Sequence, residues 1–298
     1  MNPLRNSMRP LAAAAMSAAM PGLGQFANGE ANKASWLFLC FAALSVPVVA
    51  LIALYLPVGW TMPTLLLGLA LTLGIWVYGI RDAWHGARRF GSMGAEPWQS
   101  GGLCALIFAA GNLVILPLLI GYVRAHQVEA LRVQSSSMAP TAQPGDYLFA
   151  DKRYNCPGCG ASVRRGDLAV FVYPNNRSLL YIKRIVALPG DHVQINGAEL
   201  RLNGKSLTLP SPAAQAFTSE GIEGRQWQVD WRGPPSAEVD LTVPPGQVFA
   251  LGDNRGASVD SRRFGTVPLH DVVGKARQVW FSRGTEGVRW DRLGRVLE

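Results

Sequence analysis

Charge is what this sequence most conspicuously lacks. Only 16% of its 298 residues are Asp, Glu, Lys or Arg, while 49% are hydrophobic, and soluble domains usually carry about a quarter charged. Cysteine is scarce as well: four in this length exclude a disulfide-scaffold protein. Histidine is equally rare, and none of the four (His85, His126, His192, His270) sits in an i, i+4 pair around a Glu. That removes the usual metalloprotease helix, so no metal or other cofactor is expected. No Gly-rich loop ends in Lys-Ser or Lys-Thr, so no phosphate-cradling loop is expected either. The net charge of +8 is modest and no basic run exceeds two residues, so nucleic acid is not among the expected partners. High apolar content without a glycine period excludes a disordered or collagen-like chain.

What is present is divided unevenly along the chain. Ala34 to Ile80 contains no charged residue, a run long enough for two membrane spans at about 20 residues each. Pro57-Val58-Gly59-Trp60-Thr61-Met62-Pro63 carries the breakers and an interfacial Trp, and reads as the turn between them. A second uncharged run, Pro97 to Val123, supplies a third span. The expected spans are 36–56, 64–80 and 103–122, within a membrane region 1–123. Pro10 to Gly29 reads either as a short signal peptide after Arg5 and Arg9 or as a retained surface or re-entrant helix. The charges decide for retention. Arg5, Arg9 and Lys33 precede the first span and Arg81, Arg88 and Arg89 separate the second from the third. Positive loops favour the cytoplasmic side, so three spans put everything after Val123 outside.

After about Arg124 the texture changes to short β-rich runs between Gly, Pro, Asn and Asp. Strands are expected at 168–173, 180–186, 192–195, 199–202, 238–243, 247–251 and 278–281. Asn203-Gly204 is a hairpin turn signal. No helical period lasts long enough for βαβ units, so 124–298 reads as a mainly β soluble domain behind an α-helical membrane region. Residues 215–237, polar and rich in Gly and Pro, read as loops or a variable insertion.

A hydrolase of this composition has few bases to choose from. Only His192 and His270 could serve a His-based triad, and both read as ordinary surface or turn histidines. A Ser with a Lys is the alternative, provided that burial lowers the lysine pKa by several units. Lys183 has the surroundings for it, with Leu179-Leu180-Tyr181-Ile182 before and Ile185-Val186-Ala187-Leu188 after. Ser135-Ser136-Ser137-Met138-Ala139-Pro140-Thr141 stands about a dozen residues beyond the third span. Gly252-Asp253-Asn254-Arg255 with Ser258-Val259-Asp260-Ser261-Arg262 forms a third polar cluster.

Together these segments resemble the type I signal peptidases, membrane-anchored serine proteases of the Ser/Lys dyad type. The family's nucleophile box, Ser-x-Ser-Met-x-Pro-Thr, is matched at Ser135 to Thr141, and its Gly-Asp by Gly145-Asp146. Its lysine box is matched by Arg165-Gly166-Asp167, Tyr181-Ile182-Lys183-Arg184 and Pro189-Gly190-Asp191, and its last box from Gly252 to Arg262. The resemblance implies Ser137 as nucleophile and Lys183 as general base. It also implies an oxyanion hole from the Ser135 hydroxyl and the Ser137 N–H, with Ser258 orienting the lysine amine. Asp260 and Arg262 would be a supporting charged pair, and Met138, Tyr181 and Ile182 would line pockets for small residues at −1 and −3. The implied fold is the family's β fold and the implied partners are signal peptides of exported preproteins, the lipid bilayer and the secretion translocon. The implied location is the bacterial inner (cytoplasmic) membrane, multi-pass, with the catalytic domain on the periplasmic or extracellular side. Gln134, Ser136 and Ala142 depart from the family's usual Pro, Gly and Leu, and three spans exceed its usual one or two.

Two alternatives remain from the sequence: a specialised relative with one dedicated substrate, and a catalytically silent, membrane-anchored peptide-binding protein. Ser135, Ser137, Lys183 and Ser258 together argue against the second, since a binder has no need of an apolar-flanked lysine. Cys156-Pro157-Gly158-Cys159 has zinc-knuckle spacing, but Cys40 and Cys104 lie in spans and a tetrahedral site needs four ligands. A local disulfide is the expectation outside the cytoplasm, with free thiols or a partial metal site as alternatives.

Overall fold

The computed structural model describes residues 3–45, 58–89, 101–155, 162–210, 217–233 and 238–297. The chain divides into two compact units, Met1–Ala125 and His126–Glu298.

The first unit is helical: α1 (Pro3–Ala19), α2 (Leu23–Ala27), α3 (Ala31–Ser45), α4 (Val58–Arg89) and α5. The last runs from Gly101 to His126 with a π-helical stretch at Ala110–Ile115. Two helical stretches are long and apolar enough to cross a membrane, Met62–Arg89 and Gly102–His126. Their leucines point outward: Leu66, Leu67, Leu113 and Leu118 are all more than half exposed, which suits lipid and not water. The expected first span, 36–56, lies largely outside the described residues. The described part of the expected turn at 57–63, from Val58 on, is instead the start of α4, with Pro63 inside the helix. A proline that close to a helix start removes only one early N–H, so the apolar run continues through it.

Residues 10–29, ambiguous in sequence, fold back onto α4. Gly22 takes a left-handed φ of 94°, and a Cβ there would stand 2.3 Å from the Ala34 carbonyl oxygen, so only glycine makes this turn. The turn delivers buried Gln25 to α4, where its amide donates to the Gly79 carbonyl at 2.7 Å and to Asp82 at 3.1 Å. The Ser17 hydroxyl donates to Gln25 Oε1, and Lys33 pairs with Asp82 at 2.6 Å. Ser17, Gln25, Lys33 and Asp82 thus satisfy one another, as buried polar groups must.

The second unit is mainly β. Its main sheet uses β1 (Val128–Arg132), β2 (Asp146–Asp151), β3 (Leu168–Val172) and β4 (Leu180–Ala187). A smaller sheet begins with β5 (His192–Asn196), β6 (Glu199–Leu202) and β7 (Lys205–Ser206), and a hairpin follows as β8 (Thr218–Ile222) and β9 (Arg225–Val229). Then come β10 (Val239–Thr242), β11 (Gln247–Leu251), the short helix α6 (Ser261–Phe264), β12 (Val267–Pro268), β13 (Val272–Gly284) and β14 (Gly287–Val288). The eight-stranded sheet runs β1-β2-β13-β3-β4-β11-β12, with β14 on β13, and the smaller one β10-β5-β6-β7. All named strand pairs are antiparallel.

Both faces of the main sheet are covered, which explains its unbroken apolar runs. Along β3, Leu168 and Val170 join Met138, Leu148 and Val279, while Ala169 and Phe171 join Ile185, Ala250 and Val267 on the other side. Alternate residues point to opposite faces, so a strand buried on both shows no polar alternation. Asn203 and Gly204 both have positive φ, 51° and 78°, as a two-residue hairpin turn requires. The stretch read as loops at 215–237 proves different where it is described: 218–229 is the β8–β9 hairpin, with Glu220 and Trp227 buried.

Candidate active site

Three chain segments converge in the second unit. The turn Ser136–Met138, after β1, carries Ser137. Strand β4 carries Lys183, opposite Ala169 of β3 in the middle of the sheet. The Gly252–Ser258 turn leaves β11, and its Asn254 N–H donates to the Ser137 carbonyl at 3.1 Å. The Asn254 amide also donates to the Ser136 carbonyl at 3.2 Å.

Lys183 is 4% exposed, and its Nζ stands 2.8 Å from Ser137 Oγ. A second bond runs from Nζ to the Ile182 carbonyl at 3.1 Å. Burial pushes its pKa down to about 8, against a smaller upward pull from the Asp260 and Asp253 carboxylates. An amine with that pKa is partly neutral near neutral pH and can accept a proton. The Ser135 hydroxyl lies 3.0 Å from Ser137 Oγ.

A buried ionic frame fixes these segments. Arg184, next to Lys183, donates through Nε and a terminal nitrogen to Asp253 at 2.8 and 2.7 Å, both side chains fully buried. Asp253 also accepts the Thr141 hydroxyl at 2.5 Å. One carboxylate thus joins the serine, lysine and glycine-turn segments. The sequence reading gave Thr141, Arg184 and Asp253 no role. An arginine inside an apolar strand was the available signal, because buried charge must be paired. Asp260 takes both ends of Arg262, at 2.8 and 2.7 Å, and accepts the Gly252 N–H at 3.0 Å. Burial alone would raise the Asp260 pKa, but the Arg262 guanidinium outweighs it and holds the carboxyl below its ordinary value.

The remaining expected site residues fall less neatly. No hydrogen bond joins the buried Ser258 hydroxyl to Lys183, and the hydroxyl bears on the Asp260 carboxylate. The amine turns to Ser137 and the Ile182 carbonyl instead. Met138 is 1% exposed, in the core behind the partly buried Ile182. Tyr181 stacks on Tyr173 with ring centres 4.2 Å apart, and the Lys183 ammonium lies 5.1 Å from the Tyr181 ring centre. His192 pairs with Asp240 at 2.6 Å on the smaller sheet, and His270 is 78% exposed, so neither touches this centre. Cys156 and Cys159 lie outside the described residues. Among the described residues, no cluster of three or more His, Cys, Asp or Glu side chains could hold a metal ion.

The family model described as signal peptidase, peptidase S26, matches residues 106–281. Signal peptidase I of Bacillus licheniformis is 34% identical over 169 residues, covering 56% of this chain and 83% of that protein. The Bacillus caldolyticus signal peptidase I is 35% identical over 146 residues, covering 48% and 74%. That of Pseudomonas fluorescens is 32% identical over 191 residues, covering 53% of this chain and 66% of its own length. A crystal structure of a signal peptidase I from Enterococcus faecalis V583 aligns with a TM-score of 0.27 and 30% identity, over 38% of this chain and 95% of that one.

Proposed function

Because the chain belongs to the signal peptidase family, peptidase S26, whose members are serine endopeptidases that remove signal peptides, we propose that Ser137 is its nucleophile and Lys183 its general base. The 2.8 Å separation of Lys183 Nζ from Ser137 Oγ carries this reading. The buried neutral amine takes the hydroxyl proton as Oγ attacks the scissile carbonyl carbon, and the carbonyl oxygen becomes an oxyanion. The Ser137 N–H and the Ser135 hydroxyl stabilise that charge. The C–N bond then breaks, the lysine returns its proton to the departing amine, and an ester remains on Ser137. Water, deprotonated by the same amine, attacks that ester and frees the signal peptide's carboxylate.

The preprotein binds as an added extended strand, with main-chain bonds for affinity and small pockets beside Tyr181 and Ile182, backed by Met138, for choice. Asp260 and Arg262 hold the turn that faces the dyad. Residues 1–123 anchor the enzyme by three spans, the lipid-facing leucines of α4 and α5 supporting two of them. By the charge rule, residues 124–298 then act on the periplasmic or extracellular side of a bacterial inner membrane, where preproteins emerge from the secretion translocon.

The test is cleavage, in detergent micelles, of a preprotein with Ala at −3 and −1. The native chain cuts after the −1 residue, and Ser137→Ala and Lys183→Ala abolish cutting. Residual cleavage in both variants would place the site elsewhere.

A further inference from the structure

The β8–β9 hairpin lies between the lysine and glycine-turn segments in sequence, and it reaches both in space. Glu220 of β8 is fully buried, and its two carboxylate oxygens accept from Arg255 at 2.7 and 2.6 Å. The Trp231 and Trp227 indole N–H groups add one further bond each, both at 3.3 Å. Four donors saturate the carboxylate, and the Arg255 guanidinium also lies 5.0 Å from the Trp231 ring centre.

Arg255 transmits this grip to the turn that faces the dyad. Its Nε donates to the Gly252 carbonyl at 2.9 Å, so a guanidinium held at one end by Glu220 braces the turn at the other. The Asp230 N–H donates to the Asp253 carbonyl at 2.8 Å, and the Gly256 N–H donates back to the Asp230 carbonyl at 3.1 Å. The next residue, Asn254, holds the Ser137 carbonyl. On the lysine side, Trp227 places its ring 4.5 Å from the Arg184 guanidinium. The hairpin therefore touches the neighbours of both dyad residues and neither of the two themselves.

We propose that Glu220 is a positioning residue for the Ser137–Lys183 dyad: through Arg255 it sets the Gly252–Asn254 turn, and through Asn254 the backbone that presents the Ser137 hydroxyl. This rests on the dyad proposed above. The hairpin is then part of the catalytic apparatus, and its worth is read in turnover. Because the turn meets the carbonyl side of Ser137, loosening it changes how the hydroxyl and the neighbouring N–H meet the scissile bond. Binding of the peptide strand is left intact.

The experiment uses the full chain in detergent micelles with the preprotein substrate. Glu220→Gln keeps the shape but replaces two acceptor oxygens with one acceptor and an NH2 that opposes Arg255. It is expected to lower kcat by about 10–100-fold, since misplacements near 1 Å cost that much, with KM within about threefold. Glu220→Gln with a lowered melting temperature but wild-type kcat in its folded fraction would overturn the proposal, as would a raised KM at unchanged kcat. Should Glu220→Gln not fold, Trp231→Phe decides, because it keeps a ring beneath Arg255 and removes a single N–H from Glu220. A severalfold loss of kcat there supports the proposal, and full kcat overturns it. Ser137→Ala separates the two levels. If it still cleaves, the dyad itself is misassigned. If it is inactive while Glu220→Gln is fully active, the dyad stands and the positioning role falls.

Discussion

Lys183 Nζ and Ser137 Oγ stand 2.8 Å apart although 46 positions separate them in the chain. Burial of the amine sets its pKa near 8, and two carboxylates, Asp260 and Asp253, keep it from falling further. The value is therefore a balance between desolvation and charge, and it can be moved from either side.

The first prediction concerns pH. With chemistry rate-limiting, cleavage rises with pH and is half-maximal near pH 8, because only the neutral amine accepts the serine proton. Asp260→Asn removes a charge that favours the ammonium, so the midpoint moves to lower pH. An unmoved or more alkaline midpoint would contradict the balance. The same group contributes to stability in the same direction. Between about pH 8 and its ordinary value of 10.5 the unfolded chain binds the proton that the folded chain has lost. Its contribution to stability therefore rises with pH through that window.

Ser135→Ala should lower kcat by about 10²–10³ at unchanged KM, the usual loss for one oxyanion donor. The hydroxyl, 3.0 Å from Ser137 Oγ, is near enough to meet the oxygen of a carbonyl attacked there. Single-turnover acylation measures the step directly. Wild-type acylation would leave the backbone N–H as the main donor.

Away from the dyad, Arg292 and Asp146 form a further buried pair, joined through Nε at 2.9 Å and a terminal nitrogen at 2.5 Å. Burial favours the protonated Asp146, but Arg292 and the Gln143 N–H outweigh it and keep the carboxyl below its ordinary value. Arg292→Ala leaves the fully buried carboxylate with only Arg289 at 3.3 Å as a cation, beside the Ser282 hydroxyl and the Gln143 N–H, and is expected to destabilise the catalytic unit by about 3 kcal/mol. Denaturant unfolding reads the change, and kcat per folded molecule should hold.

Legibility in the sequence followed the kind of signal each element carries. Strands β3, β4, β5, β6, β10 and β11 stood out because unbroken or alternating apolar runs report burial directly. Lys183 was legible as a lysine inside an apolar run, and the serine and glycine-turn segments through their likeness to the family's boxes. The β8–β9 hairpin was not, since its buried residues, Glu220, Trp227 and Val229, include a charged one. A buried carboxylate with four donors looks, in sequence, like any surface Glu. The α1–α2 fold-back was equally hidden, for its turn rests on Gly22 and its anchor is the amide of Gln25. The Ser258–Lys183 bond failed for a different reason. Motif position pairs Ser258, on the turn after β11, with Lys183, on β4, but the lysine amine is already engaged by Ser137 and the Ile182 carbonyl.

Gly252 offers the sharpest steric test of how the turn and the serine depend on each other. A Cβ at this position would stand 2.2 Å from Ser258 Oγ and 2.5 Å from the Ser137 carbonyl oxygen. The turn cannot retreat freely, because Asp260 accepts the Gly252 N–H at 3.0 Å and Arg255 donates to its carbonyl at 2.9 Å. Gly252→Ala must then displace the Ser137 backbone, and a shift near 1 Å is expected to lower the acylation rate by about 10²-fold. Adding Ser258→Gly removes both the hydroxyl and the Ser258 Cβ, which would stand 2.6 Å away, but leaves the methyl against the Ser137 carbonyl, so the double variant should regain stability and not rate. Thermal melting and single-turnover acylation of both variants separate the two effects. A double variant that acylates at the wild-type rate would mean that the Ser137 carbonyl can move without carrying its hydroxyl off line.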